Sequence, residues 1–359
     1  MIRSVKLSLK FATPTKLAKI VAVLDRYRAT VNAYVRTLWT DSGGLDKETA
    51  ARVPCGHLLN RQRAHALQQA IGIITATRRS AKALHVEPSM PIFRGSMILS
   101  KQLAQLTSAR TAGPYDLWLR FSTLSPGNRI DIPLKATRSY RKWTGLPLTT
   151  LKGGCGIGGK PGRYYVIVWV NLPELALRTE GGTLGIDVGI NKLLATSDGK
   201  KYGDNIKRYI AVVRRCKLGS KGKKRARIAR DRYINWVLNQ LPWEKLKLVA
   251  VEKLTNLKKG KKPNRGKSFR KAVAPWTYAY VLRRIEMKAQ ENRVLRVEVN
   301  PAYSSQTCPS CTHRAALSRS NEKFRCVRCG YAADADIVGS LNILNRATGE
   351  CIVPQPLTP

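Results

Sequence analysis

Along the first residues, Val5, Leu7, Leu9 and Phe11 alternate with polar neighbours, the two-residue period of a strand with one buried face. Thr13-Pro14 then supplies a helix N-cap and a proline for the first turn. Leu17, Ile20, Val21, Leu24, Tyr27, Val31, Tyr34 and Leu38 continue at three- and four-residue spacing, which predicts a long amphipathic helix. A second helix is expected from about His57 to Leu84. Its apolar face carries Leu67, Ile71 and Ile74, flanked by Arg61, Arg63, Arg78, Arg79 and Lys82. From Pro91 to Pro173 the period returns to two. Tyr115, Leu117, Leu119 and Phe121 lead into the turn Ser125-Pro126-Gly127-Asn128, and Ile130, Ile132 and Leu134 lead back, a β-hairpin. A glycine-rich stretch, Lys152 to Gly162, precedes an apolar strand from Arg163 to Leu172. With the opening strand these segments are expected to close a small barrel. Beyond Thr183 the pattern is mixed α/β, and no internal repeat is visible.

Charge changes what such a fold is for. The 359 residues hold 65 Lys and Arg against 22 Asp and Glu, a net charge of +43. That balance excludes most ordinary cytosolic enzymes. A compact chain so charged repels itself unless a polyanion neutralises it, and the phosphates of nucleic acid do so most economically. No uncharged apolar run approaches the ~18 residues of a membrane span, and the N-terminus lacks a signal-peptide core. A soluble protein of the cytoplasm, associated with the nucleoid and not with membrane, is expected.

Two runs concentrate the cations. Arg214 to Arg230 holds nine in 17 residues without an acid: Arg214, Arg215, Lys217, Lys221, Lys223, Lys224, Arg225 and Arg227 precede Arg230. Lys258 to Lys271 holds eight in 14: Lys258, Lys259, Lys261, Lys262, Arg265, Lys267, Arg270 and Lys271. These are expected to be solvated tracts that contact phosphate, with Phe269, Trp276, Tyr278 and Tyr280 close by, suited to stacking on bases although some of these rings must be helix core.

The few acids are placed oddly. Asp187 sits inside Leu-Gly-Ile-Asp-Val-Gly-Ile, Glu252 ends the apolar run Leu-Val-Ala-Val-Glu, and Asp334 and Asp336 precede a helical Ile337 to Leu344. A charge buried in an apolar element costs several kcal/mol unless compensated. Taken singly, each has an ordinary explanation: a turn former, a strand end, an N-cap. Together they suit hard oxygen ligands converging on Mg²⁺ or Mn²⁺ for phosphodiester hydrolysis. Cys308 and Cys311, then Cys326 and Cys329, form two C-x-x-C pairs 14 residues apart, the spacing of a structural Zn²⁺ site. His313 is a weaker alternative ligand. Cys55, Cys155, Cys216 and Cys351 are scattered and are expected to be small hydrophobes or free thiols, and His57, His65 and His85 follow no pattern.

Gly-Ile-Asp-Val-Gly-Ile at 185–190, Val-Glu-Lys-Leu at 251–254 and the Asp-to-Asn spacing of 336–342 resemble the three split motifs of the RuvC-like nuclease domain. The run Val299 to Cys311, followed by Phe324 to Tyr331, resembles the zinc-ribbon insertion of the TnpB family. TnpB proteins are RNA-guided DNA nucleases of insertion sequences, related to compact type V CRISPR effectors. The specific match covers roughly residues 181–346.

The resemblance implies an α/β plus β fold: a ribonuclease H-like (RuvC) domain at 181–302 and 332–347, with a zinc ribbon inserted at 303–331 and a tail at 348–359. Ahead of it would stand a β-barrel wedge domain at 1–12 and 91–180, interrupted by a helical recognition lobe at 13–90. It implies Asp187, Glu252 and Asp336 as catalytic magnesium ligands, Asp336 being preferred to Asp334 because it stands six residues before Asn342. It implies guide RNA and target double-stranded DNA as partners, with a monomer expected. The sequence departs from the family at Val338, Gly339 and Ser340, where Asn-Ala-Ala is usual. A conventional transposase, whose acids usually run Asp, Asp, Glu, is the rival among enzymes. A guided repressor or other binder that does not cut is the rival outside them.

Overall fold

A computed structural model of the chain describes residues 1–40, 53, 58–84, 86–108, 113–173, 176–217, 219–253 and 275–349. The chain divides into two compact units, Met1–Glu174 and Leu175–Pro359.

The first unit runs β1 (Ile2–Ser8), α1 (Pro14–Thr40), α2 (Asn60–Leu84), β2 (Met97–Ser100), β3 (Ala104–Ser108), β4 (Leu117–Ser122), β5 (Arg129–Leu134), α3 (Arg138–Thr144), β6 (Thr150–Gly158) and β7 (Tyr165–Asn171). β1 buries Arg3, Val5 and Leu7 on one face, and α1 buries Ile20, Leu24, Tyr27, Val31, Tyr34 and Leu38. The buried stripe of α2 differs from the expected one. Gln62, Ala66, Ala70 and Ile74 are buried, whereas Leu67 and Ile71 are half-buried at its margin. Alanines on that stripe let α2 lie close to α1, a packing role that hydrophobicity does not flag.

The expected single barrel is instead two hydrogen-bonded sheets, β1-β7-β6-β2 and β3-β4-β5, which share one apolar core with both helices. The chain turns at Lys101–Leu103, with the Leu103 N–H bonded back to Ser100, and this turn hands β3 to the second sheet. The hairpin β4–β5 is present, Leu119 opposite Ile132. The glycine-rich stretch is itself largely a strand, β6. Its glycines admit the neighbouring chain: a Cβ on Gly154 would stand 2.4 Å from the Leu99 carbonyl oxygen.

The second unit runs β8 (Gly182–Val188), β9 (Leu194–Thr196), β10 (Lys201–Tyr202), α4 (Ile206–Arg215), α5 (Lys221–Leu238), β11 (Leu246–Glu252), α6 (Pro275–Glu291), β12 (Leu295–Val299), β13 (Arg319–Ser320), β14 (Lys323–Arg325), β15 (Ala332–Asp334) and α7 (Ala335–Thr348). Five strands form one sheet in the order β10-β9-β8-β11-β12. β10, β9 and β8 pair antiparallel, while β11 pairs parallel with both β8 and β12. Leu184, Ile186 and Val188 point from β8 into a core with Ile206, Ile234 and Val281 of α4, α5 and α6. Gly185 and Asp187, on the alternate positions, face α7. Ile343 and Leu344 of α7 pack with Ala250 and Val299, so the central strands are covered on both faces, as their continuous apolar runs require. β13, β14 and β15 make a small antiparallel sheet. Among the described residues no helix is long and apolar enough to cross a membrane.

Candidate active site and metal centre

Register explains how two acids meet. In the parallel pair of β8 and β11, Ile186 stands beside Val251 and Ala250 beside Gly185. The next step along both strands sets Asp187 beside Glu252, on one face and at the same end of the sheet. Asp336 comes from the first turn of α7, the helix packed over that face. Gly339, one turn later, is so near that a Cβ there would lie 3.0 Å from Asp187 Oδ2.

Electrostatics register the crowding. Burial, then the charges of Glu252 and Asp336, push the Asp187 carboxyl up to about 8. Burial also raises Glu252, and burial with the nearby Asp334 raises Asp336. The three carboxylates thus repel one another in a poorly solvated place, and hard oxygen donors so arranged fit a divalent cation. Unlike the cysteines described below, their oxygens do not all lie within 4.8 Å of one another.

Several neighbours acquire their part in the site only through the tertiary structure. Ser304 Oγ donates to Glu252 Oε1 at 3.2 Å, and Asn342 Nδ2 donates to the carbonyls of Ser304 and Thr307, each at 2.7 Å. One amide on α7 therefore holds the loop that orients Glu252. Arg319, from β13, lies 3.7 Å from Asp336 Oδ1. Asp334 is occupied elsewhere: it caps α7 by accepting from the Asp336 and Ile337 N–H groups and pairs with Lys201. Tyr278, expected to stack on bases, is half-buried against the sheet core. Burial and the charges of Asp187, Glu252 and Asp336 push its hydroxyl up to about 12. Tyr280 likewise packs on the core, bonded to Asn235. Only the charge relations of Tyr278 and Arg319 mark them as neighbours of the acids, and such relations are invisible in spacing.

The four cysteines converge, all their sulfurs within 4.8 Å of one another. Cys308 and Cys329 sulfurs stand 3.6 Å apart, as do those of Cys311 and Cys326. That is far beyond a disulfide bond and close to the edge of a tetrahedron built on Zn–S bonds of about 2.3 Å. The donor set therefore fits zinc. Gly330, at φ +75°, closes the second knuckle. Burial opposes charge on Cys326, yet the N–H groups of Cys329 and Arg328 and the neighbouring thiols bring it down to about 6. His313 contributes its backbone, its carbonyl accepting from the Cys308 N–H. Of the scattered cysteines, Cys155 is a buried thiol that burial pushes up to about 12 and Cys216 is partly exposed; Cys55 and Cys351 lie outside the described residues.

The first basic run is not a loose tract. It spans the end of α4 and the start of α5, with Ser220 as N-cap accepting from the Lys223 N–H at 3.1 Å. Arg214, Arg215, Lys217, Lys221, Lys224, Arg225 and Arg227 are exposed and Lys223 is partly so, while Arg230 is buried beside Asp231 and Tyr280. Propensity explains the difference, since Lys, Arg and Ala are good helix formers and Ser supplies the start. Lys258, Lys259, Lys261, Lys262, Arg265, Lys267, Arg270, Lys271 and Phe269 lie outside the described residues, as do the side chain of Trp276 and residues His57 and His85.

The chain is similar to several known proteins. Residues 278–343 match the model of the Cas12f1-like TNB domain. A putative transposase of Methanocaldococcus jannaschii is 34% identical over 73 residues, which span 67% of that protein. The chain belongs to the TnpB family. Within it, the putative RNA-guided DNA endonuclease InsQ of Escherichia coli is 46% identical over 56 residues, 15% of this chain and 13% of InsQ. Cas12f1, a CRISPR-associated endodeoxyribonuclease of Sulfoacidibacillus thermotolerans, is 29% identical over 113 residues, 31% of this chain and 25% of its own length. The match thus spans a quarter of that curated relative. In fold the TnpB-family chain resembles Cas12f1 in its complex with sgRNA and target DNA, with a TM-score of 0.56 at 13% identity over 96% of this chain and 99% of that one. It also resembles the mini-RNA-guided endonuclease CRISPR-Cas phi3, with a TM-score of 0.54 at 11% identity over 97% and 92% of the two chains.

Proposed function

We propose that this chain is an RNA-guided, divalent-metal-dependent DNA endonuclease of a mobile element, cutting DNA complementary to a bound guide RNA. The observation that carries this reading is the register setting Asp187 beside Glu252, with Asp336 presented from α7 above the same face. A sheet of order β10-β9-β8-β11-β12 with an acid on β8, one on β11 and one on the covering helix supports the ribonuclease H-like (RuvC) reading. On this reading Asp187, Glu252 and Asp336 hold Mg²⁺ or Mn²⁺, which would supply an activated water and stabilise the leaving oxygen. Ser304 and Asn342 fix the Glu252 carboxylate. Arg319 offers a cation beside Asp336 for phosphate. Cys308, Cys311, Cys326 and Cys329 hold a structural zinc that keeps Arg319 in place. The first unit, with its helices inserted between β1 and β2, supplies the wedge and recognition lobe. The chain acts as a monomer in the cytoplasm, at the nucleoid.

The test adds purified chain, stripped of RNA, to target plasmid with matched guide, mismatched guide or none. Cutting with the matched guide alone is expected. Equal cutting in all three would make it an unguided nuclease. Binding without cutting in any would make it a repressor-like binder.

A further inference from the structure

Tyr278 and Tyr280 are partly buried against the core, and so is Tyr233, from which a line of rings leads out to the surface. Tyr209 of α4 and Tyr233 of α5 stack with centroids 4.6 Å apart and planes 21° from parallel. Tyr233 stacks in turn with Trp236, at 5.7 Å and 28°. Trp236 is 59% exposed, so the ladder ends in a large ring open to solvent. Such a ring contributes little to the packing of its own helix, while its neighbours hold it in a fixed plane.

The ladder is tied to the loop that leaves β8. The Asn205 N–H donates to the Tyr233 hydroxyl at 3.1 Å. The adjacent Asp204 pairs at 2.8 Å with Lys192, which lies in the loop leaving β8 after Asp187. The surroundings are cationic: Arg232, one turn before Trp236 on the same side of α5, is exposed, and the exposed cations at the start of that helix lie upstream. Pre-stacked rings beside clustered positive charge are what an unpaired nucleic-acid strand needs, because every base has a π-face and every linkage a phosphate.

We propose that the Tyr209–Tyr233–Trp236 ladder is a stacking platform for unpaired bases of the DNA strand that runs to Asp187, Glu252 and Asp336. The proposal rests on the nuclease reading, which sets the direction of that strand. Trp236 takes a base on its exposed ring, and the flanking cations hold phosphate without regard to sequence.

The experiment measures binding of the full chain to a fluorescent single-stranded thymidine oligonucleotide and to an abasic strand of the same length, without divalent metal. The wild type is expected to prefer the base-bearing strand by about tenfold. Trp236→Ala should lose most of that preference, while keeping its affinity for the abasic strand and its salt dependence. Trp236→Phe should keep most of the preference. A preference unchanged by Trp236→Ala, or absent from the wild type, overturns the platform. Cutting is assayed separately. A chain that cuts but ignores bases loses the platform alone, and one that reads bases through Trp236 but never cuts loses the nuclease reading alone.

Discussion

Gly185 and Gly339 both lie where β8 meets α7, and they tolerate change differently. A Cβ on Gly185 would sit 2.1 Å from the Ser340 carbonyl oxygen and 2.9 Å from Leu344 Cβ. Neither can yield without moving the helix. Gly185→Ala is therefore expected to destabilise the chain by about 3 kcal/mol, read as a lower urea midpoint, and to abolish cutting. At Gly339 the obstacle is a carboxylate end 3.0 Å away, which can rotate. Gly339→Ala should keep cutting within a few-fold and raise stability by up to about 1 kcal/mol through helix propensity. Asp187 gives a pH test. Burial and the neighbouring acids push its carboxyl up to about 8, whereas an unfolded chain loses that proton near pH 4. Stability from this group is full below pH 4 and declines as pH rises through 8. Without added divalent cation, Asp187→Asn should match the wild type in urea at pH 4 and exceed it at pH 8.5; a wild-type advantage at pH 8.5 would contradict this account. These residues show what sequence makes visible at this scale. An acid inside an apolar strand announces its cost. Ser304, Arg319 and Tyr278 are ordinary residues in ordinary contexts, and only the tertiary approach gives them meaning.

At the scale of elements, the four-cysteine ribbon and α7 form one device. β15 ends on Asp334, which caps α7, and β13 supplies Arg319 to Asp336. The ribbon's buried cluster is small, Phe324 and Cys326 beside Cys308, Ala335 and Val338, so on the proposed reading metal held by the four cysteines would supply much of its folding free energy. Cys326→Ser is expected to lower bound zinc, measured by elemental analysis, and to cut cleavage at least tenfold while binding of nucleic acid persists. Full cleavage by a zinc-free variant would separate the ribbon from the chemistry. Long elements with a clean period, β1, α1, the β4–β5 hairpin and β8, are readable from the chain. β6 is hidden because alternating glycines erase the apolar period, and the stripe of α2 because its close packing uses alanine. The two-residue β10 has no local signal at all and exists because β9 offers it an edge.

For the molecule as a whole, +43 charges make affinity for polyanions strongly dependent on salt. The exposed cations of α4 and α5 stand on helices, so on the proposed reading they would meet phosphate with little ordering cost. Changing Lys221, Lys224, Arg225 and Arg227 to Gln should flatten the dependence of log K on log salt by roughly one unit per lost contact. An unchanged slope would place the bound nucleic acid elsewhere. Charge and cysteine spacing are legible without a structure, but the division into a four-stranded and a three-stranded sheet is not, since it turns on three residues, Lys101–Leu103. The link through Asn342, which holds both the loop beside Glu252 and the first cysteine knuckle's approach at Thr307, reaches beyond geometry. Thiolates are the most oxidisable groups in the second unit, and Cys329 is exposed. On the proposed reading, oxidants or zinc starvation would disarm the cutting centre before loosening the grip on nucleic acid, leaving a stressed host with a bound protein that spares its chromosome.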